Sequence, residues 1–233
     1  MLILCFDLDG TLCDSAPAED AARQEVVNRI VSRGVEPSRA AQAFDAQYQA
    51  YEESYVDLVI SNGLGEKEIR LKQIEDTLKA LGVDEKGLAA ELSAAHWSTM
   101  SRLFAHYPEA PQVLETMSQR YRVSLLSNGP SDLQREKIRV LGLEDRFEHI
   151  IISGEVGYSK PSREIFEALL SRTGAQAYQV MYIGDNYMKD IVGALGAGLR
   201  AVWVNRNGKQ RPSHPFKPER TIRDLSELAR ILE

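Results

Sequence analysis

The sequence predicts an α/β protein in which a doubly wound, Rossmann-like parallel sheet carries a separate all-helical region. Five short runs rich in Val, Ile and Leu each end in polar residues or glycine, which is typical of parallel strands covered on both faces. Helical patterns separate the last four runs, so strands and helices alternate with right-handed crossovers. The long stretch between the first two runs contains helical patterns only.

The predicted strands lie in the segments LILCFDLDG (2–10), YRVSLLSNG (121–129), HIIISGEVG (149–157), VMYIGDN (180–186) and RAVWVNRNG (200–208). In the first segment, positions 2–6 have almost no polar member, which fits a strand buried on both faces. This run therefore predicts a strand that ends inside the protein or at the floor of a cleft.

Three helices are predicted within the sheet region, at PSDLQREKIRVLGL (130–143), SREIFEALLSRTG (162–174) and KDIVGALGAG (189–198). In the second, Ser162 is placed to cap the N-terminus and Gly174 to end the helix. The basic loop around Arg206, Lys209 and Arg211 is interpreted as a solvated surface loop, with a position near the rim of the sheet as the alternative.

The region between the first and second strands predicts an all-helical insert. Four helical patterns cover residues 18–34, 38–63, 66–82 and 85–104, each ending near a glycine or a change of pattern. We therefore predict a catalytic core of residues 1–16 and 105–233 and a helical cap of residues 17–104.

Net charge and the pattern of apolar runs argue against a nucleic-acid partner and against a membrane span. With 233 residues, a formal charge of -6 and a pI near 5.4, the chain is not expected to bind a nucleic-acid polymer. Charged residues interrupt every apolar run, so no membrane span is expected. The only cysteines, Cys5 and Cys13, follow no secretory signal peptide, which predicts a reducing cytoplasm.

Polar side chains follow each of the first four predicted strands. Asp7 and Asp9 come directly after the first run, and two ionised acids so close together would repel unless one is neutral or a cation lies nearby. Ligands of an open parallel sheet bind beyond the carboxyl ends of its strands. We therefore expect one rim to gather the residues Asp7, Asp9, Ser127, Asn128, Lys160, Asp185 and Asp190.

Four motifs at these positions resemble the ordered signatures of the haloacid dehalogenase (HAD) superfamily, in its phosphatase branch. They are DLDGT (7–11), LLSNG (125–129), SKP (159–161) and GDNYMKD (184–190). The helical insert is similar to the cap of the subgroup in which the cap follows the first strand. The resemblance covers nearly the whole chain and is specific, because four motifs occur in the family's order.

The resemblance implies a role for each residue of the rim. Asp7 would be the nucleophile that forms an aspartyl-phosphate, and Asp9 would be the general acid and then the general base. Lys160 and the Ser127 hydroxyl would bind phosphate oxygens, and Asn128 and Gly129 would add amide or backbone donors.

The resemblance also implies Mg²⁺ as the cofactor. Its ligands would be one oxygen of Asp7, the backbone carbonyl of Asp9 and the carboxylate of Asp185. Asp190 would orient Lys160 or a metal-bound water, or would simply complement a helix dipole.

The expected function is a cytoplasmic, Mg²⁺-dependent phosphomonoesterase, a monomer or homodimer, acting on a small metabolite. Residues 127–166 are similar to nucleoside monophosphate phosphatases and to sugar-phosphate phosphatases of the acylneuraminate-9-phosphate type. A phosphomutase of the same superfamily is an alternative. A metal-free 2-haloacid dehalogenase is disfavoured because those members lack an acid at the position of Asp9. A phosphoacceptor module or a non-catalytic binding protein is disfavoured by the insert and by the complete set of rim residues.

Overall fold

The computed structural model describes residues 2–232 and has an α/β fold with a six-stranded parallel sheet. All five predicted strands are present, so the predicted fold class is confirmed. In chain order the strands of the described residues are β1 (Ile3–Phe6), β2 (Cys13–Asp14), β3 (Ala105–His106), β4 (Arg122–Ser127), β5 (His149–Ile152), β6 (Val180–Gly184), β7 (Arg200–Val204) and β8 (Arg220–Ile222).

The strand order of the large sheet is β5-β4-β1-β6-β7-β8. Strand β1 lies at its centre, with Cys5 in register with Ser124 of β4 on one side and with Tyr182 of β6 on the other. From β1 the chain first builds the sheet outward through β4 and β5, and then returns to the opposite side of β1. The carboxyl ends of β1 and β6 therefore flank the point where strand order reverses, which is where such sheets bind ligands.

Three of the observed strands were not predicted from the sequence. Strand β8 lies at the edge of the sheet and buries only Ile222 of its three residues, so it lacks the apolar run that marks a central strand. Strands β2 and β3 form an antiparallel ribbon of two residues each, with Cys13 opposite His106. Pairs this short leave no periodic pattern in the sequence.

The α-helices of the described residues are α1 (Ala16–Val31), α2 (Pro37–Ile60), α3 (Glu66–Leu81), α4 (Leu88–Leu103), α5 (Ala110–Ser118), α6 (Ser131–Val140), α7 (Ser153–Val156), α8 (Arg163–Thr173), α9 (Gly193–Gly196) and α10 (Leu228–Ile231). A π-helix spans Tyr187–Val192, directly after β6. Across residues 2–232, none of these helices combines the length and the apolar character that crossing a bilayer requires.

The chain divides into two compact units. The sheet unit comprises the residues up to Asp14, Ala105–Gly129 and those from Leu141 onward, and the helical unit comprises Ser15–Phe104 and Pro130–Val140. In the helical unit, α1 to α4 bury a cluster around Val26, Phe44, Ile74 and Leu92. The predicted cap of residues 17–104 differs from the helical unit mainly because α6, predicted within the core, groups with α1 to α4.

Helix α6 joins the helical unit through a carboxylate that caps a different helix. Asp132 accepts hydrogen bonds from the backbone N–H groups of Glu66 (2.8 Å) and Lys67 (3.2 Å), at the N-terminus of α3. This approach requires glycine at position 65, because a Cβ there would lie 2.8 Å from Asp132 Oδ2. Such a cap connects residues far apart in sequence, so local periodicity does not indicate it.

One hydrophobic cluster of the sheet unit covers one face of the sheet, and side chains on the other face, such as Leu4 and Phe6, are also buried. Side chains alternate along each strand, and Ile3 and Cys5 of β1 share the face of this cluster with Val180 and Tyr182 of β6 and with Phe166 of α8. The Tyr182 ring packs edge-on against the Phe166 ring, with centroids 5.5 Å apart. Because Asp7 lies two residues beyond Cys5, the same alternation directs Asp7 toward the Tyr182 side of the sheet.

We predict that Asp132→Ala lowers the free energy of unfolding by about 1 kcal/mol, the usual effect of losing an N-terminal cap. The reason is that the N–H groups of Glu66 and Lys67 lose their acceptor. Urea denaturation followed by circular dichroism measures the change. Asp132→Asn, which keeps one acceptor oxygen, is expected to lose less, and Asp84→Ala in an exposed loop serves as the control. Equal stability of Asp132→Ala and the wild type would contradict the capping role.

Candidate active site

Asp7 directly follows the central strand β1. Its backbone N–H donates to the carbonyl of Ile183 (2.9 Å), which continues the pairing of β1 with β6 by one residue. Its side chain is buried, with 6% of the residue exposed. A carboxylate at such a position requires hydrogen-bond donors or a cation to offset the loss of hydration.

Lys160 supplies this cation. Its ammonium lies 2.7 Å from Asp7 Oδ1, 2.8 Å from Asp190 Oδ1 and 2.8 Å from the Tyr182 hydroxyl. The ammonium donates hydrogen bonds to Asp7, to the Tyr182 hydroxyl and, at 3.4 Å, to the Leu126 carbonyl, and it forms an ion pair with Asp190. Burial by itself lowers the pKa of Lys160, but Asp190 and Asp7 raise it above its usual range. Lys160 is therefore a buried, permanently charged ammonium.

Asp185 and Asp190 reach the same place from the end of β6. Asp185 follows the last residue of the strand, and its carbonyl accepts from Trp203 Nε1 (2.8 Å). Asp190 lies in the π-helix, a form that is rare and often found at functional sites. Its Oδ2 accepts from the backbone N–H of Asn186 (2.8 Å).

Two glycines allow both carboxylates to approach closely. A Cβ at residue 10 would lie 2.5 Å from Asp185 Cγ, and a Cβ at residue 184 would lie 2.5 Å from Asp190 Oδ2. Gly10 also has a φ of 76°, a conformation that favours glycine. The glycines of the DLDGT and GDNYMKD motifs thus make room for carboxylates.

The site carries more negative than positive charge. Carboxylate oxygens of Asp7, Asp185 and Asp190 all lie within 4.8 Å of one another, and the ammonium of Lys160 contacts two of these acids. Burial raises the pKa of Asp7 well above its usual range; Lys160 offsets part of this rise, and Asp190 and Asp185 add to it. Burial and Asp190 likewise raise the pKa of Asp185 to about 6.

These three acids can hold a metal ion. Their donors are oxygen atoms only, which suits a hard divalent cation, and such a cation would neutralise the surplus negative charge. The group includes Asp7 and Asp185, both predicted as ligands, and also Asp190, which was predicted to act indirectly. Asp190 contacts Lys160 directly, so the structure places it where either role is possible.

The Ser127–Gly129 segment lies at the end of β4, where the Asn128 side chain bonds to the Lys160 backbone. The Asn128 side chain donates to the Lys160 carbonyl (3.0 Å) and accepts from the Lys160 backbone N–H (2.9 Å). The Gly129 N–H donates to the Ser153 hydroxyl (2.8 Å). The phosphate contacts of Asn128 and Gly129 stay predictions, and in the structure both groups form hydrogen bonds within the protein. Ser127 is the last residue of β4 and is buried.

Asp9 lies in the loop that follows Asp7. It is partly buried, and its backbone forms a bridge with Cys13. Its carboxylate is not one of the three that cluster within 4.8 Å.

Sequence analysis missed Tyr182 as a member of the site. Its fully buried hydroxyl donates to the Leu126 carbonyl (2.9 Å) and accepts from Lys160 (2.8 Å). Because the single hydroxyl proton is used on Leu126, the oxygen can only accept from Lys160. The one signal in the sequence is a hydroxyl within an otherwise apolar strand, three residues before Asp185.

Comparison with known proteins agrees with the four motifs. A family model described as haloacid dehalogenase-like hydrolase matches residues 1–198. The chain is 32% identical over 251 aligned residues to the phosphoserine phosphatase of Thermus thermophilus, and the match covers 98% of each chain.

Solved structures share the fold. A 2-haloacid dehalogenase from Pseudomonas syringae superposes with a TM-score of 0.76 at 24% identity, covering 100% of this chain and 98% of that one. The HAD-hydrolase YfnB of Bacillus subtilis bound to magnesium has a TM-score of 0.72 at 24% identity, with the same coverage. At this level of identity the likeness establishes the fold alone.

We predict that Asp185→Asn stabilises the protein in EDTA at about pH 7.5, where an ionised Asp185 destabilises the folded state. The pKa of Asp185 is raised from 3.8 to about 6 in the folded protein. As pH falls, the folded state therefore binds a proton before the unfolded state does, and stability rises between about pH 7 and pH 4.

Urea denaturation in EDTA across this range measures both effects. Asp185→Asn is expected to flatten the pH dependence and to match the wild type near the acid end, while Asp145→Asn at an exposed site leaves the curve unchanged. A destabilised Asp185→Asn at the higher pH would show that the ionised carboxylate is already compensated without a metal.

Proposed function

This chain belongs to the haloacid dehalogenase-like hydrolases, and we propose that it hydrolyses the phosphomonoester of a small metabolite through a covalent intermediate on Asp7. The observation that carries this proposal is the buried group of Asp7, Lys160 and Asp190, with Asp185 beside it, at the switch point of the sheet. It combines a carboxylate nucleophile, a fixed ammonium and oxygen ligands for a cation.

In the first step, an oxygen of Asp7 attacks phosphorus. The new bond joins the Asp7 carboxylate to phosphorus, and the bond from phosphorus to the substrate's alcohol oxygen breaks. Asp9 donates a proton to that departing oxygen, so that a neutral alcohol leaves. Because Lys160 Nζ lies 2.7 Å from Asp7 Oδ1, it is within reach of the oxygens of a phosphoryl group bonded to Asp7, and its charge stabilises the transition state.

In the second step, Asp9 removes a proton from a water molecule that attacks the same phosphorus. The bond between phosphorus and Asp7 breaks, which releases inorganic phosphate and restores the Asp7 carboxylate. Asp9 is then protonated again, ready for the next substrate. The buried Ser127 hydroxyl supplies a further donor to the phosphate at the end of β4.

We assign Mg²⁺ as the cofactor, held by the carboxylates of Asp7 and Asp185 and by the carbonyl of Asp9. The supporting observations are the oxygen-only donor set and the surplus negative charge of the cluster. When bound, Mg²⁺ supplies electrostatic stabilisation of the negative charge on the phosphoryl oxygens. Asp190 holds Lys160 in place through their 2.8 Å contact.

The substrate class proposed is a small phosphorylated metabolite. Nucleoside monophosphates and sugar phosphates are favoured by the motif region, and phosphoserine joins them because a relative across the full chain bears the name phosphoserine phosphatase. The two cysteines are buried and form no disulfide with each other, which supports a reducing compartment such as the cytoplasm.

A metal-free 2-haloacid dehalogenase is less well supported than a phosphatase. Displacing a halide requires a single carboxylate nucleophile, whereas this site brings the buried Asp7 and Asp190 and the partly buried Asp185 within 4.8 Å of one another. Burying additional acids is costly unless a cation binds them. A phosphomutase shares the site and differs in the acceptor of the phosphoryl group, which the following experiment separates.

We predict that the purified protein releases inorganic phosphate from a few members of a panel of nucleoside monophosphates, sugar phosphates and phosphoserine. Release requires Mg²⁺ and stops in EDTA. Asp7→Asn is expected to lower kcat by at least about 10⁴-fold, because an amide is a poor nucleophile. Asp145→Asn at the surface retains full activity.

Radiolabelled substrate decides between the reactions. Label trapped on the wild-type protein and absent from Asp7→Asn supports the covalent route. Transfer of label to a second sugar without free phosphate would identify a mutase, and activity in Asp7→Asn would exclude Asp7 as the nucleophile.

We also predict that Tyr182→Phe lowers kcat/KM for phosphate release by about tenfold, the usual effect of losing one hydrogen bond to a charged group. The substitution removes the hydroxyl oxygen that accepts a hydrogen bond from the Lys160 ammonium, and it leaves the aromatic ring packed on Phe166. Steady-state kinetics measures the change, with the surface variant Tyr178→Phe as the control. Unchanged kinetics of Tyr182→Phe would mean that Asp7 and Asp190 suffice to orient Lys160.

A further inference from the structure

We infer that Arg206 is a positioning residue for Asp9, an inference that rests on the proposed function. Arg206 follows the end of β7, and its guanidinium contacts the loop that carries Asp9. Its Nη2 donates to the Thr11 carbonyl (2.8 Å) and its Nε to the Gly10 carbonyl (3.4 Å). The basic loop that contains Arg206 was interpreted as solvated, with a position near the rim of the sheet as the alternative, and this side chain is only 17% exposed.

The loop needs such a donor because of the way it folds. The Leu8 carbonyl accepts from the N–H groups of Leu12 and Cys13 (both 2.9 Å), which closes the chain into a tight turn directly after Asp7. Because the chain makes only one turn here, no later backbone N–H group of the described residues is placed to bond to the carbonyls of Gly10 and Thr11. Arg206 supplies donors to two consecutive carbonyls, and these belong to the two residues after Asp9.

The guanidinium is itself held from a second direction. Its Nη1 lies 2.7 Å from Glu109 Oε1, and its plane stacks on the Tyr107 ring at 3.5 Å. The Tyr107 N–H donates to the Leu12 carbonyl (3.0 Å), so this segment is also bonded to the loop. Arg206 thus joins the turn after Asp7 to residues 107–109 and fixes both relative to β7.

Only an arginine side chain fits this arrangement. Its planar fork presents several N–H groups in fixed directions and can stack on an aromatic ring at the same time. A lysine ammonium can reach one or two of these acceptors but cannot hold the same geometry.

Strand β7 consequently places two parts of the site. Trp203, within the strand, donates to the carbonyl of Asp185 (2.8 Å), and Arg206, just beyond it, fixes the residues that follow Asp9. A small displacement of a proton donor strongly reduces general acid catalysis. We therefore expect the loss of Arg206 to impair proton transfer by Asp9 more than nucleophilic attack by Asp7.

The test compares two substrates that differ in their need for a proton. We measure kcat/KM, which reports formation of the phosphoenzyme, for the best alkyl phosphate of the panel and for p-nitrophenyl phosphate, whose phenolate leaves without protonation. Arg206→Met is expected to lose about 100-fold on the alkyl phosphate and only a few-fold on the aryl phosphate, as expected for a misplaced general acid. Arg206→Lys is expected to recover part of the loss.

The control is Arg200→Met, which removes an ion pair with Glu219 (2.7 Å) from the same strand β7 and is expected to keep wild-type kinetics. In an Asp9→Asn background, Arg206→Met is expected to add little, because both changes remove the same proton transfer. Equal losses on the two substrates, or a full additional loss in the Asp9→Asn background, would overturn the inference and leave a structural role.

Two further outcomes remain distinct. If Arg206→Met does not fold, Glu109→Gln replaces it as the test, because it removes the ion pair that holds the Arg206 guanidinium. Glu109→Gln is expected to lose more activity on the alkyl phosphate than on the aryl phosphate, by a smaller factor than Arg206→Met. Equal losses of Glu109→Gln on the two substrates would overturn the inference. A wild-type protein that releases phosphate from neither substrate would refute the proposed function and, with it, this role for Arg206.

Discussion

The site depends on one buried ammonium. The Lys160 ammonium lies 2.7 Å from Asp7 and 2.8 Å from Asp190. Removing the ammonium would leave buried carboxylates without a counter-charge, and removing the carboxylates would leave a buried ammonium without one. Tyr182 and the Asn128 side chain complete the arrangement, one at the ammonium and the other at the Lys160 backbone. The nucleophile is thus fixed by a cation whose own position is fixed on every side.

The lysine does not balance the charge of the site. Three acids share a space of 4.8 Å, and burial raises the pKa of Asp185 to about 6. A divalent cation and a phosphate dianion together bring compensating charges to such a cluster, so binding of each is favoured by the other. Charge compensation alone therefore makes metal binding and substrate binding cooperative, and no conformational change is needed to couple them.

The topology of the sheet makes this concentration of charge possible. Because strand order reverses across β1, the ends of β1 and β6 are neighbours although Asp7 and Asp185 are far apart in the chain. Gly10 and Gly184 then permit contacts that any Cβ would block. Strand β7 adds Trp203 and Arg206, which fix the backbone on either side of the cluster.

Local patterns of period and of residue type indicated the five apolar strands and the four insert helices. The same patterns indicated acids, a lysine and a serine at the strand ends. They did not indicate β8, the ribbon of β2 and β3, or the grouping of α6 with the insert, since an edge strand, a two-residue pair and the Asp132 cap leave no periodic signal. Three contacts of the site follow only from the folded arrangement of the chain: Asn128 bonds to Lys160, Tyr182 accepts from Lys160, and Arg206 donates to the loop after Asp7. Each of these contacts joins residues more than 20 positions apart, so its energy depends on chain folding rather than on neighbours in the sequence.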